Sequence, residues 1–225
     1  MLDVLVFAPH PDDAELGAGG AIVKAISAGF KVGIIDLTAG EMGSLGTKES
    51  RLGEAEVARK ILGAELRQNL GFPDAFLHFE DKKKVVLKIA DKIREFKPTI
   101  VLMPYWEDRH PDHVTTSVVV SKACHFAKLM KIKLDHPKHK VKHLLYYELN
   151  NQSKFTFIMD ISNEFKKKKE AIMTFKSQFK EFSMEYLPFP VEERCKHYGS
   201  LIEKEYGEAF YMKDPLVLKD WNALI

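Results

Sequence analysis

Two short stretches concentrate side chains that can hold a cation and move a proton. His10-Pro11-Asp12-Asp13 follows the apolar run LDVLVFA at residues 2–8, and Asp108-Arg109-His110-Pro111-Asp112-His113 follows a second such run, TIVLMPY, at 99–105. Neighbouring carboxylates repel each other and are costly to desolvate, so a pair at the mouth of a buried strand makes sense beside a positive ion. Asp and His suit Zn²⁺, and a catalytic zinc typically keeps three protein ligands and one open position. His10, Asp13 and His113 can supply those three. Asp12 is then the spare carboxylate, placed as general base toward water. His110 is the spare imidazole, placed to protonate a leaving group, with Asp112 orienting it. Taken alone, His10-Pro11-Asp12-Asp13 is equally a turn ending in a helix N-cap, because Asp caps helices well. A second His-Pro-Asp-His at the end of another strand weighs against that simpler reading.

The surrounding pattern supplies the elements that must position these groups. Residues 2–8, 31–38 and 99–105 read as strands buried on both faces, and ELRQNLG as a shorter one. Helical patterns cover 14–28 (with Gly29 at the C-cap), 48–63, 85–96 and about 112–131. HLLYYEL and FTFIMDI read as further strands, helices are expected over 163–180 and 191–206, and the tail GEAFYMKDPLVL as a last strand or extended arm. Alternating strands and helices predict a single α/β domain over 1–225, a mostly parallel sheet covered on both faces. Ligands of such sheets bind beyond the carboxyl ends of the strands. The two His/Asp stretches and the loop TAGEMG (38–43) all fall at such ends.

Bulk composition narrows the function classes. The chain has 225 residues, 45% of them hydrophobic, and a formal net charge of +2. Near-neutrality argues against nucleic acid or an anionic membrane as main partner. No apolar stretch approaches a membrane span and no leader pattern opens the chain, so a soluble cytoplasmic protein is expected. Cys124 and Cys195 lack metal-ligand spacing and read as reduced packing residues. The Lys-rich stretch 128–143, with His136, His139 and His143, reads as a solvated loop, and Lys166 to Lys169 as a solvated helix face. A dinucleotide-binding reading places Gly17 and Gly19 after the first strand and Asp36 at the end of the second, but Ile22 stands where the third glycine belongs. A non-enzymatic sugar-binding module leaves the spare acid and base groups unexplained.

The pair PHPDDAELGAGG and EDRHPDH resembles the LmbE-like/PIG-L zinc N-deacetylases, which act on N-acetylglucosamine conjugates. TAGEMGSLGT with ESRLGEAEVARKILG extends the resemblance. TIVLMPYWEDRHPDH, FKSQF and YGEAF are closest to the branch of bacillithiol biosynthesis that deacetylates N-acetylglucosaminyl malate. The resemblance implies a three-layer, Rossmann-like fold and one Zn²⁺ per subunit on His10, Asp13 and His113. It also implies Asp12 as base, His110 with Asp112 as acid and transition-state stabiliser, and Arg51 holding substrate. Arg51 and Arg109 suit a carboxylate-bearing substrate, because a guanidinium binds carboxylates bidentately. Arg51 is alternatively a surface helix residue and Arg109 a structural ion-pair partner. Glu41 and Tyr105 either line the pocket or stabilise loop and core. N-acetylglucosaminyl malate is the expected substrate, and a chitobiose-type or other N-acetylglucosamine conjugate the alternative. The branch also implies a closed homo-oligomer, often a hexamer, with Phe210, Tyr211 and Leu216 near a subunit boundary.

Overall fold

The computed structural model describes residues 1–43, 45–151, 154–179, 191–217 and 220. In chain order the elements are β1 (Val4–Ala8), α1 (Asp13–Ser27), β2 (Val32–Thr38), α2 (Lys48–Leu62), β3 (Leu66–Phe72), α3 (Lys82–Phe96), β4 (Ile100–Pro104), α4 (Pro111–Ala127), β5 (His143–Tyr147), β6 (Phe157–Asp160), α5 (Phe165–Ile172), α6 (Val191–Ser200) and β7 (Gly207–Met212). They form one seven-stranded sheet in the order β3-β2-β1-β4-β5-β7-β6. The first five strands are parallel, and β7 runs antiparallel between β5 and β6.

Strand alternation explains the two-sided core. Leu5 and Phe7 of β1 pack with Val85, Ile89 and Val120 of α3 and α4 on one face. Val4, Val6 and Ala8 pack with Ala14, Ala18 and Ile22 of α1 and Ala58 of α2 on the other. A strand that feeds two cores has no polar face, which is why β1 and β4 read as unbroken apolar runs and β2 is interrupted before its end only by Asp36, which pairs with Arg67. The order reverses at β1 and β4, so the crevice between their carboxyl ends receives the loops before α1 and α4.

Helix boundaries depart from the sequence pattern where side chains cap them. Asp81 accepts from the amides of Lys83 and Lys84 and starts α3 three residues ahead of Val85. Helix α4 ends at Ala127, ahead of Lys131, because buried Arg94 takes the carbonyls of Ala127 and Leu129 at 2.9 and 2.7 Å. The helices expected over 163–180 and 191–206 stop at Ile172 and Ser200, and the last strand at Met212. The ends expected for the former helix and for the tail, Lys180 and Leu218, lie outside the described residues.

Two further expectations need correction. Lys168 is not part of a solvated face: it is fully buried, with Nζ 2.6 Å from Glu208 and 3.0 Å from the Leu16 carbonyl. Glu208 in turn accepts from the amides of Gly20 and Ala21 in the middle of α1. Phe210 is an interior residue, 1% exposed, whereas Leu216 is 61% exposed. In the Lys-rich stretch, His136 is held by Asp91 and His139 by the Pro98 carbonyl. Cys124 and Cys195 are free and buried, as their spacing predicts.

Candidate metal centre and active-site cleft

The loop after β1 turns sharply into α1, and Asp12 carries the strain of that turn. Its backbone is left-handed, with φ 119°, a conformation costing a non-glycine residue about 1–3 kcal/mol. Asp12 occupies the N-cap position of α1, yet its side chain makes no capping bond. The carboxylate turns instead to Arg51, 3.2 Å away. The simpler N-cap reading is thereby excluded.

Asp13 Oδ2 stands between two imidazoles, 2.9 Å from His10 Nδ1 and 3.4 Å from His113 Nε2. All three residues are buried. The far ring nitrogens also meet carboxylates. His10 Nε2 lies 3.0 Å from Asp74 Oδ1 and 3.5 Å from Asp112 Oδ2, without hydrogen-bond alignment to either. His113 Nδ1 lies 3.2 Å from Asp108 Oδ1. A histidine whose second nitrogen faces a carboxylate is the usual arrangement of a metal ligand, since it fixes ring orientation and tautomer.

The electrostatics agree. Burial opposes charge on His10, but the carboxylates of Asp112, Asp13 and Asp74 outweigh it and hold the imidazole well above its ordinary range. Burial likewise resists charge on His113, and Asp13 with Asp108 overcomes it, raising His113 to about 9. Burial would raise Asp13, yet His113 and His10 hold it well below the ordinary carboxylate range. Four carboxylates around two imidazoles thus draw in positive charge, and the donor set of His10 Nδ1, Asp13 Oδ2 and His113 Nε2 fits a divalent ion. Burial first, then the charge of Asp13, pushes Asp12 up to about 8, against the pull of Arg51.

His110 is the N-cap of α4: its Nδ1 accepts from the Asp112 amide at 3.2 Å. It is therefore the backbone of Asp112, and not its carboxylate, that hydrogen-bonds the His110 ring. The Asp112 carboxylate accepts from the Ala75 amide and faces His10. Burial and repulsion from His10 and His113 lower the His110 pKa.

Other site candidates separate clearly. Arg51 is 4% exposed and no surface residue. Its guanidinium donates to the carbonyls of Gly40 and Pro11 and to Asp12, so it fastens the loops after β1 and β2 together. Arg109 is exposed and reaches Asn150 Oδ1 at 3.4 Å, on the rim. Glu41 accepts from the Asp74 amide and braces a loop. Tyr105 is a core residue, stacked on Trp106 at 4.0 Å, and does not line the cleft. Asp36 is spent on Arg67, which also binds Glu15, so it is closed to a ribose.

Residue-type reasoning overlooked Asp74, Asn150 and Gln178. Asp74 follows β3, and the strand-end rule that found the other clusters points to it equally. Asn150 binds Asp108 and approaches His113 Nδ1 at 3.3 Å. The cleft of about 360 Å³ also takes in Leu16, Met42, Gly43, Gln178 and Phe179.

Comparison with known proteins places this geometry. Residues 5–124 match the family model described as PIG-L, GlcNAc-PI de-N-acetylase. The diacetylchitobiose deacetylase of Thermococcus kodakarensis is 31% identical over 91% of this chain and 80% of its own. A probable N-acetyl-alpha-D-glucosaminyl L-malate deacetylase 2 of Bacillus cereus is 36% identical over 49% of this chain and 55% of its own. The crystal structure of a conserved protein from Thermus thermophilus superposes with a TM-score of 0.90 at 38% identity, covering 98% of this chain and 99% of that one. The chain is a hydrolytic N-deacetylase belonging to the PIG-L, or LmbE-like, family.

Proposed function

We propose that the cleft removes acetate from an N-acetylglucosamine conjugate with the help of one Zn²⁺ held by His10, Asp13 and His113. The observation that carries this reading is the convergence of those three donor atoms beside a buried, strained carboxylate. When bound, the ion supplies Lewis acidity toward the acetamide carbonyl and toward water. Asp12 takes the proton of the attacking water, and Arg51 fixes that carboxylate in place. His110, half-buried beside the rings of His10 and His113, returns a proton to the sugar nitrogen as the C–N bond breaks and acetate departs. The His110 ring is 4.8 Å from the ligand ring of His10, centroid to centroid, and shares one cleft with Asp12, which keeps acid, base and metal ligands together. Asp74 and Asp108 hold the ligand imidazoles in register.

The same reading assigns an uncharged glycan, of which N,N′-diacetylchitobiose is the example, in preference to the malate conjugate. Arg51 supports it, since Nη1 and Nη2 are engaged by Gly40, Pro11 and Asp12, and only Nε is left without a partner to meet a substrate carboxylate. The long match to the chitobiose deacetylase points the same way. Arg109 favours the malate conjugate as second reading, because its exposed guanidinium stands beside cleft residue Asn150. Acetate release from the two substrates side by side decides. A kcat/KM at least tenfold higher for the malate conjugate, lost in Arg109→Ala, reverses the assignment.

A further inference from the structure

On the outer side of α3 a groove of about 380 Å³ has an apolar floor that includes Val86, Phe126 and Ile132. Its rim is cationic: Lys82, Lys83, Lys122, Lys131 and Lys133. A second hollow of about 320 Å³ continues it along the helix and shares Leu87 and Lys133. The outer wall is firmly built. Arg94, 3% exposed, donates to the carbonyls of Ala127, Leu129, Ile132 and His136 and so ties residues 127–136 against α3.

The rim charge is local and only partly offset, by Asp135, which lines the adjoining hollow with Lys133. The whole chain carries only +2, yet five lysines meet here. Asp81 spends its carboxylate on capping α3 and Asp91 on His136. Lys92, further along, is paired with Glu95, whereas the five rim lysines form no ion pair among the described residues. Three of the cations at this end, Lys82 to Lys84, stand in the first turn of α3 with no acid among them. The helix dipole disfavours positive charge there, so an arriving anion relieves both repulsions.

We infer that this groove docks an acidic segment of a partner protein, with apolar side chains on the floor and carboxylates on the lysine rim. Charge complementarity selects an acidic occupant, and the apolar floor selects one with hydrophobic side chains. Concavity favours a single chain segment over a flat membrane surface. An all-lysine rim lacks the exposed aromatic platforms that single-stranded nucleic acid uses.

The test uses the full chain and a fluorescein-labelled peptide, acetyl-Glu-Glu-Leu-Glu-Glu-Phe-Glu-Glu-amide, read by anisotropy. Saturable binding is expected, weakening as salt rises. Lys83→Glu/Lys131→Glu/Lys133→Glu should weaken it at least ~tenfold while leaving deacetylase activity unchanged, which also shows that the variant is folded. A control peptide with Ser in place of Leu and Phe should bind several-fold worse. The inference is overturned if the peptide does not saturate, if the control binds equally well, or if the triple variant still binds. Preferential binding of phosphatidylserine vesicles or a single-stranded oligonucleotide overturns it too, as does a changed oligomeric state of the triple variant by light scattering.

Discussion

Asp12 Oδ2 lies 3.2 Å from Arg51 Nη2, and both residues are at least nine-tenths buried in the cleft or its wall. The pair joins the loop after β1 to α2, and it holds Asp12 away from the capping geometry that its sequence position invites. On the proposed reading this frees Asp12 for proton transfer, while Asp13, one residue on, faces the two imidazoles. Replacing Asp12 by Asn should therefore leave metal content intact and lower kcat by about 10²–10⁴-fold. Asp13→Asn should instead lose metal. Elemental analysis alongside kinetics checks both, and the reverse pattern would exchange the two roles.

Arg51→Met tests the clamp. The substitution leaves Asp12 and two buried carbonyls without their donor, and removing one partner of a buried pair costs about 3–5 kcal/mol. A clear drop in melting temperature and a fall in kcat are expected together. Unchanged stability with a raised KM alone would make Arg51 a substrate ligand.

Asp74 and Asp108 face the outer nitrogens of His10 and His113 at 3.0 and 3.2 Å. Asp74→Asn and Asp108→Asn should each weaken zinc affinity by about 10–100-fold, read by competition with a chromophoric chelator. Affinity equal to wild type in both variants would reduce these carboxylates to loop supports.

Strand and helix order, the parallel sheet and the two His/Asp clusters could be read from the sequence because each rests on a local signal. Apolar runs mark strands buried on both faces, and polar clusters at their ends mark the crevice. Arg51, Tyr105 and Lys168 were less legible for one physical reason: side-chain direction depends on partners distant in the chain. Nothing near Arg51 reveals that the carbonyls of Pro11 and Gly40 converge on it, or near Lys168 that Glu208 lies within 2.6 Å. Tyr105 follows a strand end, as site residues do, yet its ring stacks on Trp106 in the core behind the sheet.

The Lys168–Glu208 pair reaches into α1 through Leu16, Gly20 and Ala21, and α1 begins at Asp13. Lys168→Met leaves a buried carboxylate facing backbone amides alone, and a loss of about 3–5 kcal/mol is expected in denaturant unfolding. Lys168→Met/Glu208→Gln should recover part of that loss, because the double variant buries no unpaired charge. A double variant as unstable as the sum of the two single ones would contradict this coupling.

Product release shows whether His10, Asp12, Asp13 and His113 hydrolyse an N-acetylglucosaminide with a bound metal. Purified chain is stripped with chelator, reconstituted with Zn²⁺, and incubated with N,N′-diacetylchitobiose and N-acetylglucosaminyl malate. Acetate and free amine are measured together. Equal molar amounts of the two products are expected from at least one substrate, abolished by stripping and restored by zinc. Undiminished release from the stripped protein, or no acetate from either substrate with one zinc bound per chain, would contradict metal-assisted hydrolysis at these residues.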